Sequence, residues 1–104
     1  MSEFNNVTIV REANVYFDGK VVSRTVKFDD GTTKTLGFMQ VGEYTFSTKA
    51  AEVMEILGGE LDVVLPGRDE MLIIKGKGVF EVPADSSFTM FVKVPADYCC
   101  SYAK

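Results

Sequence analysis

Glycine, proline and Asp-Gly pairs interrupt this chain about every ten residues, a spacing that leaves room for short strands and little else. The interruptions fall at Asp18-Gly19, Asp29-Asp30-Gly31, Val41-Gly42, Gly58-Gly59, Pro66-Gly67, Gly76 and Gly78, Pro83 and Pro95. Residues 20–28 and 33–40 flank Asp29-Asp30-Gly31 and read as a hairpin. Further strands are expected at 43–48, 52–57, 61–65, 71–74, 79–82, 87–94 and 98–102. The stretch 47–57 also has a helical reading, with Thr48 as cap and Gly58 as stop. A lone helix of about ten residues is marginal in water, and its neighbours are strands, so 48–51 is read as a connection. The expectation is one all-β barrel or sandwich of about nine strands.

A chain of 104 residues supports one core, and with 46% apolar and 25% charged residues it has ordinary globular composition. Its net charge is −4 and it has no Lys/Arg run, which argues against a nucleic-acid polymer as partner. Met1-Ser2-Glu3-Phe4-Asn5-Asn6 lacks the basic-then-apolar order of a signal peptide, and no run has the length of a membrane span. A cytoplasmic location without a membrane partner is the resulting expectation. Cys99 and Cys100 are adjacent, so they form no disulfide framework and read as reduced thiols on opposite faces of a last strand. Without a histidine as base, cysteine-nucleophile chemistry is disfavoured.

The segment from Val41 through Glu52 to Gly59 has a strand, a bend, a Glu and a glycine seven positions later, in a chain with no histidine. This rhythm resembles the first motif of the cupins, whose metal-binding histidines are missing here. Counting back from Gly59 and Glu52 puts the two histidine positions on Thr45 and Ser47. In the second motif the proline is Pro83 and the third histidine position is Phe88. Glu52 alone would hold a transition metal poorly, so no metal is expected.

A closer resemblance is carried by Val41-Gly42-Glu43-Tyr44-Thr45-Phe46-Ser47-Thr48, preceded by Tyr16-Phe17-Asp18-Gly19-Lys20-Val21. With Leu65-Pro66, Gly78-Val79-Phe80-Glu81-Val82-Pro83, Ser87-Phe88 and Tyr98-Cys99, these stretches resemble the bacterial pyrimidine/purine nucleoside phosphorylase family over residues 14–102. The resemblance implies a single-domain cupin, an RmlC-like jelly-roll barrel, over 14–104, with residues 1–13 as an N-terminal extension. It implies phosphate-dependent cleavage of purine and pyrimidine nucleosides to free base and α-D-ribose 1-phosphate, with nucleosides and inorganic phosphate as the bound species and no cofactor. A homodimer is expected by analogy with small cupins.

Such a reaction asks for donors to phosphate, a carboxylate for the ribose and its developing positive charge, and a flat surface for the base. Thr45 and Ser47 share one face of a strand and are expected to act with Glu52 at the reacting centre. The base is expected against aromatics drawn from Tyr16, Phe17, Tyr44, Phe46, Phe88 and Tyr98, although in a small barrel most Phe side chains simply fill the core. Lys20 is the candidate cation for phosphate, set against an edge-strand role in preventing aggregation. Glu43 is an alternative acid or base, whereas Glu55 should point away from Glu52. The competing reading is a non-catalytic ligand-binding or scaffolding cupin in which Thr45, Ser47 and Phe88 only pack.

Overall fold

The computed structural model describes residues 2–102; Met1 and residues 103–104, the outer ends of the expected extension and domain, lie outside the described residues. Among the described residues there are nine strands, one 3₁₀ turn and no α-helix. The strands are β1 (Thr8–Ile9), β2 (Asn14–Tyr16), β3 (Val21–Lys27), β4 (Thr33–Met39), β5 (Gly42–Ser47), β6 (Glu52–Val64), β7 (Leu72–Lys75), β8 (Gly78–Val82) and β9 (Ser87–Tyr102). The segment with a helical reading is a connection followed by the start of β6, because Met54 and Ile56 alternate into the core at the strand period.

All pairing is antiparallel, and two long strands organise it. The first half of β6 and the last half of β9 pair with each other, flanked by β8 on one side and by β4 and β3 on the other. The remaining halves pair again, now between β7 and β5. Each long strand therefore belongs to two faces of one barrel. The sequence signals at Gly58-Gly59 and Pro95, expected to end strands, instead bend β6 and β9 without breaking them.

The bend has a steric origin. Gly59 has φ +102°, and a Cβ there would lie 2.5 Å from the Pro95 carbonyl oxygen, so only glycine lets the two strands cross this closely. Register shifts between Ile56 and Leu61 change which residues of β6 face inward, from even numbers (Met54, Ile56) to odd (Leu61, Val63). On β9 the inward set stays even: Phe88, Met90 and Val92, then Ala96, Tyr98 and Cys100.

The N-terminal residues are partly built into the sheet. Thr8 and Ile9 pair with Lys27 and Val26 of β3, and β2 pairs with the other end of the same strand. Phe4, Val7 and Ile9 border a hollow on the outer face beside Leu36 and Cys99, which accounts for the burial of Cys99 on that face. Cys100 is buried on the inner face, so the two thiols stand on opposite sides of β9.

Candidate active site

A cavity of about 170 Å³ lies between the inner faces, near the start of β6 and the end of β9. One wall is polar. Glu52, the first residue of β6, turns its half-buried carboxylate inward and stands opposite Tyr102 in the β6–β9 register. Its Oε1 lies 3.5 Å from the Sγ of Cys100, which donates to it. Burial holds the Glu52 carboxyl above the usual carboxylate range, and the Cys100 bond opposes that rise.

Further along this wall, Thr35 Oγ1 is 3.4 Å from the Tyr102 hydroxyl, and Ser23 and Tyr98 line the cavity beside them. Asn14 Nδ2 donates to Ser23 Oγ and to Thr25 Oγ1, both at 3.2 Å, tying β2 to β3. The Tyr98 ring occupies space that a side chain on β4 would fill: a Cβ on Gly37 would lie 2.4 Å from it. Burial pushes the Tyr98 hydroxyl and the Cys100 thiol each up to about 12, and raises Tyr102 well above an ordinary phenol. At neutral pH the wall thus presents neutral O–H and S–H groups around the Glu52 carboxyl.

The facing wall is apolar. Phe46 and Phe88 stack at 6.2 Å between ring centres, with Phe80 edge-on to Phe88 and with Met39, Met54 and Met90 completing the lining. Tyr16 meets Phe46 edge-on at 5.5 Å and borders the cavity. Tyr16 is carried there by the turn Phe17–Gly19, in which Phe17 (φ 52°), Asp18 (φ 55°) and Gly19 (φ +90°) are all left-handed. A left-handed phenylalanine costs about 1–2 kcal/mol, a cost opposed by packing of the Phe17 ring on Tyr44 and Phe46 at 5.0 and 5.3 Å.

The cavity gathers Glu52, Ser47, Phe46, Phe88, Tyr16 and Tyr98 from the residues that the sequence singled out. Others stand elsewhere. Thr45 faces outward and its hydroxyl pairs with that of Thr89 at 2.8 Å. The inward positions of β5 are Tyr44 and Phe46, followed by buried Thr48, so the count back from Glu52 was one residue out and a one-residue slip reverses every side chain. Thr48 spends its hydroxyl on the Pro83 carbonyl at 2.7 Å and accepts from the Ser86 N–H at 3.0 Å, which pins the β5–β6 connection to the β8–β9 turn. Ser47, at the end of its strand, is exposed but reaches the cavity rim.

Tyr44 is buried outside the lining, donating to the Gln40 carbonyl at 2.8 Å. Phe17 supports the aromatic wall from behind. Lys20 and Glu43 are exposed and do not line the cavity, and among the described residues no Lys or Arg does. Sequence reasoning missed Ser23, Thr35, Cys100 and Tyr102. Strand alternation from Tyr98 would have found the last two, because 98, 100 and 102 share a face.

The cavity offers a metal one carboxylate and one thiol held protonated, which is too few donors for a transition-metal shell. Among the described residues no group of three or more His, Cys, Asp or Glu side chains converges.

Residues 11–102 match the profile of the pyrimidine/purine nucleoside phosphorylases. The chain belongs to that family. A pyrimidine/purine nucleoside phosphorylase of Geobacter sulfurreducens is 68% identical over 102 residues, covering 98% of each chain. One from Syntrophotalea carbinolica is 61% identical over 104 residues and all of both chains. Among solved structures, a protein of unknown function from Acinetobacter sp. ADP1 superposes with a TM-score of 0.92 at 37% identity, covering 97% of this chain and 98% of that one. An RmlC-like cupin from Shewanella frigidimarina gives a TM-score of 0.70 at 14% identity, over 97% of this chain and 86% of that one, which supports the cupin barrel as the fold.

Proposed function

We propose that this chain is a nucleoside phosphorylase, a pentosyltransferase that cleaves purine and pyrimidine nucleosides with inorganic phosphate to free base and α-D-ribose 1-phosphate. The observation that carries the reading is a single carboxylate, Glu52, facing an aromatic wall of Phe46 and Phe88 inside one cavity. Family membership supports it, since relatives 61–68% identical across the chain bear the phosphorylase name.

In this reading the base lies against Phe46, Phe88 and Tyr16, where a π-face is recognised whatever its exocyclic groups. Glu52 accepts from the ribose hydroxyls and stabilises positive charge developing at C1′. An oxygen of hydrogen phosphate forms its bond to C1′ as the C1′–N bond breaks, the electron pair leaves with the base, and the base takes up the proton that the phosphate gives up. Phosphate is held by neutral donors at the polar end, Ser47 and the Tyr98 hydroxyl. That assignment replaces Lys20 and Thr45, which lie away from the cavity. No cofactor is needed.

The same proposal includes a homodimer in a reducing compartment, the cytoplasm. The outer face exposes Leu36, Phe38, Val53 and Val79, an apolar set suited to a second copy, and both cysteines are free and buried. The test is release of base from uridine and adenosine by metal-stripped protein, with and without phosphate, and direct measurement of ribose 1-phosphate. Base release that requires phosphate is the expected result. Binding of nucleoside with no base released would point instead to a non-catalytic ligand-binding cupin.

A further inference from the structure

Cys100 has no part in the reaction as written, yet it occupies the centre of the polar wall. It stands opposite Thr35 of β4 and Met54 of β6, one strand on each side. Its Sγ is 3.5 Å from Glu52 Oε1, Tyr102 follows two residues on along the same face of β9, and Thr35 Oγ1 is 3.4 Å from the Tyr102 hydroxyl.

The direction of these bonds follows from the chemistry of the last group. An ionised carboxylate only accepts, so the Cys100 S–H must donate to Glu52. The sulfur is then left to accept from Tyr102, and the Tyr102 oxygen accepts from Thr35. Three side chains on two strands thus point their hydrogens toward the carboxylate on a third, and each bond polarises the next. A nucleophilic role for Cys100 is excluded, because burial and the nearby Glu52 charge push the thiol up to about 12 and keep it an S–H donor.

We propose that Cys100 is a positioning residue for Glu52: its S–H, backed by Tyr102 and Thr35, fixes the carboxylate's direction and favours its ionised form in the cavity. The proposal rests on the reading of Glu52 as the carboxylate that faces the ribosyl centre. Tyr98, Cys100 and Tyr102 are the titratable groups facing Glu52 from β9, β4 presents Thr35, and β8 presents Val82 opposite it with Glu81 on the outer face. Among the described residues, Glu52 is therefore the only carboxyl that lines the cavity.

Removing the S–H leaves burial of Glu52 unopposed, so its titration moves to higher pH. In Cys100→Ala the acidic limb of the kcat/KM profile is expected to move up, costing about three- to ten-fold at the foot of the limb and far less on the plateau. Cys100→Ser restores a donor and should return the limb toward wild type. Tyr102→Phe should move it in the direction of Cys100→Ala, by less. A packing role alone would lower activity equally at all pH values.

The second measurement needs no turnover: titration of the Glu52 carboxyl by NMR in protein carrying ¹³C-labelled glutamate, assigned with Glu52→Gln. A midpoint that rises in Cys100→Ala and returns in Cys100→Ser supports the proposal, and an unchanged midpoint overturns it. If Cys100→Ala does not fold, Tyr102→Phe decides, since a midpoint identical to wild type there breaks the chain of bonds. Wild-type protein without phosphorolysis but with the expected NMR shifts would remove the functional reading and leave the positioning intact. Full phosphorolysis with unmoved midpoints would do the reverse.

Discussion

The two walls of the cavity are built on different principles. The apolar wall is redundant: Phe46, Phe80, Phe88 and Tyr16 lean on one another, and Phe17 props them from outside. The polar wall has no such reserve, because Glu52, Cys100, Tyr102 and Thr35 are joined in single file. The contrast teaches that shape in this barrel is shared among many contacts, while chemistry hangs on individual bonds. Losses from the first wall should appear as stability, and losses from the second as activity.

Phe88→Ala is the sharpest probe of the first half of that statement. Phe88 is buried at the centre of the aromatic cluster, and its truncation should cost about 3–5 kcal/mol, a melting-point drop of more than roughly ten degrees by calorimetry. An unchanged melting point would erase the distinction between the walls. Glu52→Gln probes the other half, with phosphorolysis expected to fall about a hundred-fold or more. Its stability should hold or rise at neutral pH. Because burial raises the Glu52 carboxyl in the folded state, this group favours folding most at low pH, and that contribution is lost as pH rises through its folded titration. A clear loss of stability in Glu52→Gln at pH 7 would mean that the carboxylate serves the fold as well.

Gly37→Ala tests where the walls join. The new Cβ would press on the Tyr98 ring at 2.4 Å, and overpacking of this kind costs about 1–3 kcal/mol. Chemical denaturation should show this cost, with weaker nucleoside binding as the ring moves into the cavity. Thr45→Ala should do least: its bond to Thr89 lies on the exposed face, so both activity and stability should stay within about 0.5 kcal/mol of wild type. A large loss of phosphorolysis in this variant would restore Thr45 to the site.

The class of fold was legible because turns and alternation are local signals. The expected strands 52–57 and 61–65, and likewise 87–94 and 98–102, proved to be halves of β6 and β9. Glycine and proline mark a bend and a stop with the same letters, and only the partner strand decides between them. Glu52, Phe46, Phe88, Tyr16 and Tyr98 were legible through motif position or aromatic character. The connection 48–51 falls where the sequence puts it, but Thr45 was misplaced because the length of a connection does not fix which face of β5 turns toward the cavity, and a shift of one residue reverses it. Ser23 and Thr35 were invisible for a different reason: a small hydroxyl in a strand looks the same whether it faces solvent or a cavity.

The sixteen residues of β9 have a consequence for how the molecule is made. This strand pairs with β4, β5 and β6, all of which leave the ribosome before it. Until it emerges, those strands have open edges and neither wall of the cavity exists. Closure is then a long-range event late in synthesis, the slow and aggregation-exposed regime of folding. A newly made chain passes through an interval in which its most apolar strands wait for a partner, and the length of that interval is set by translation.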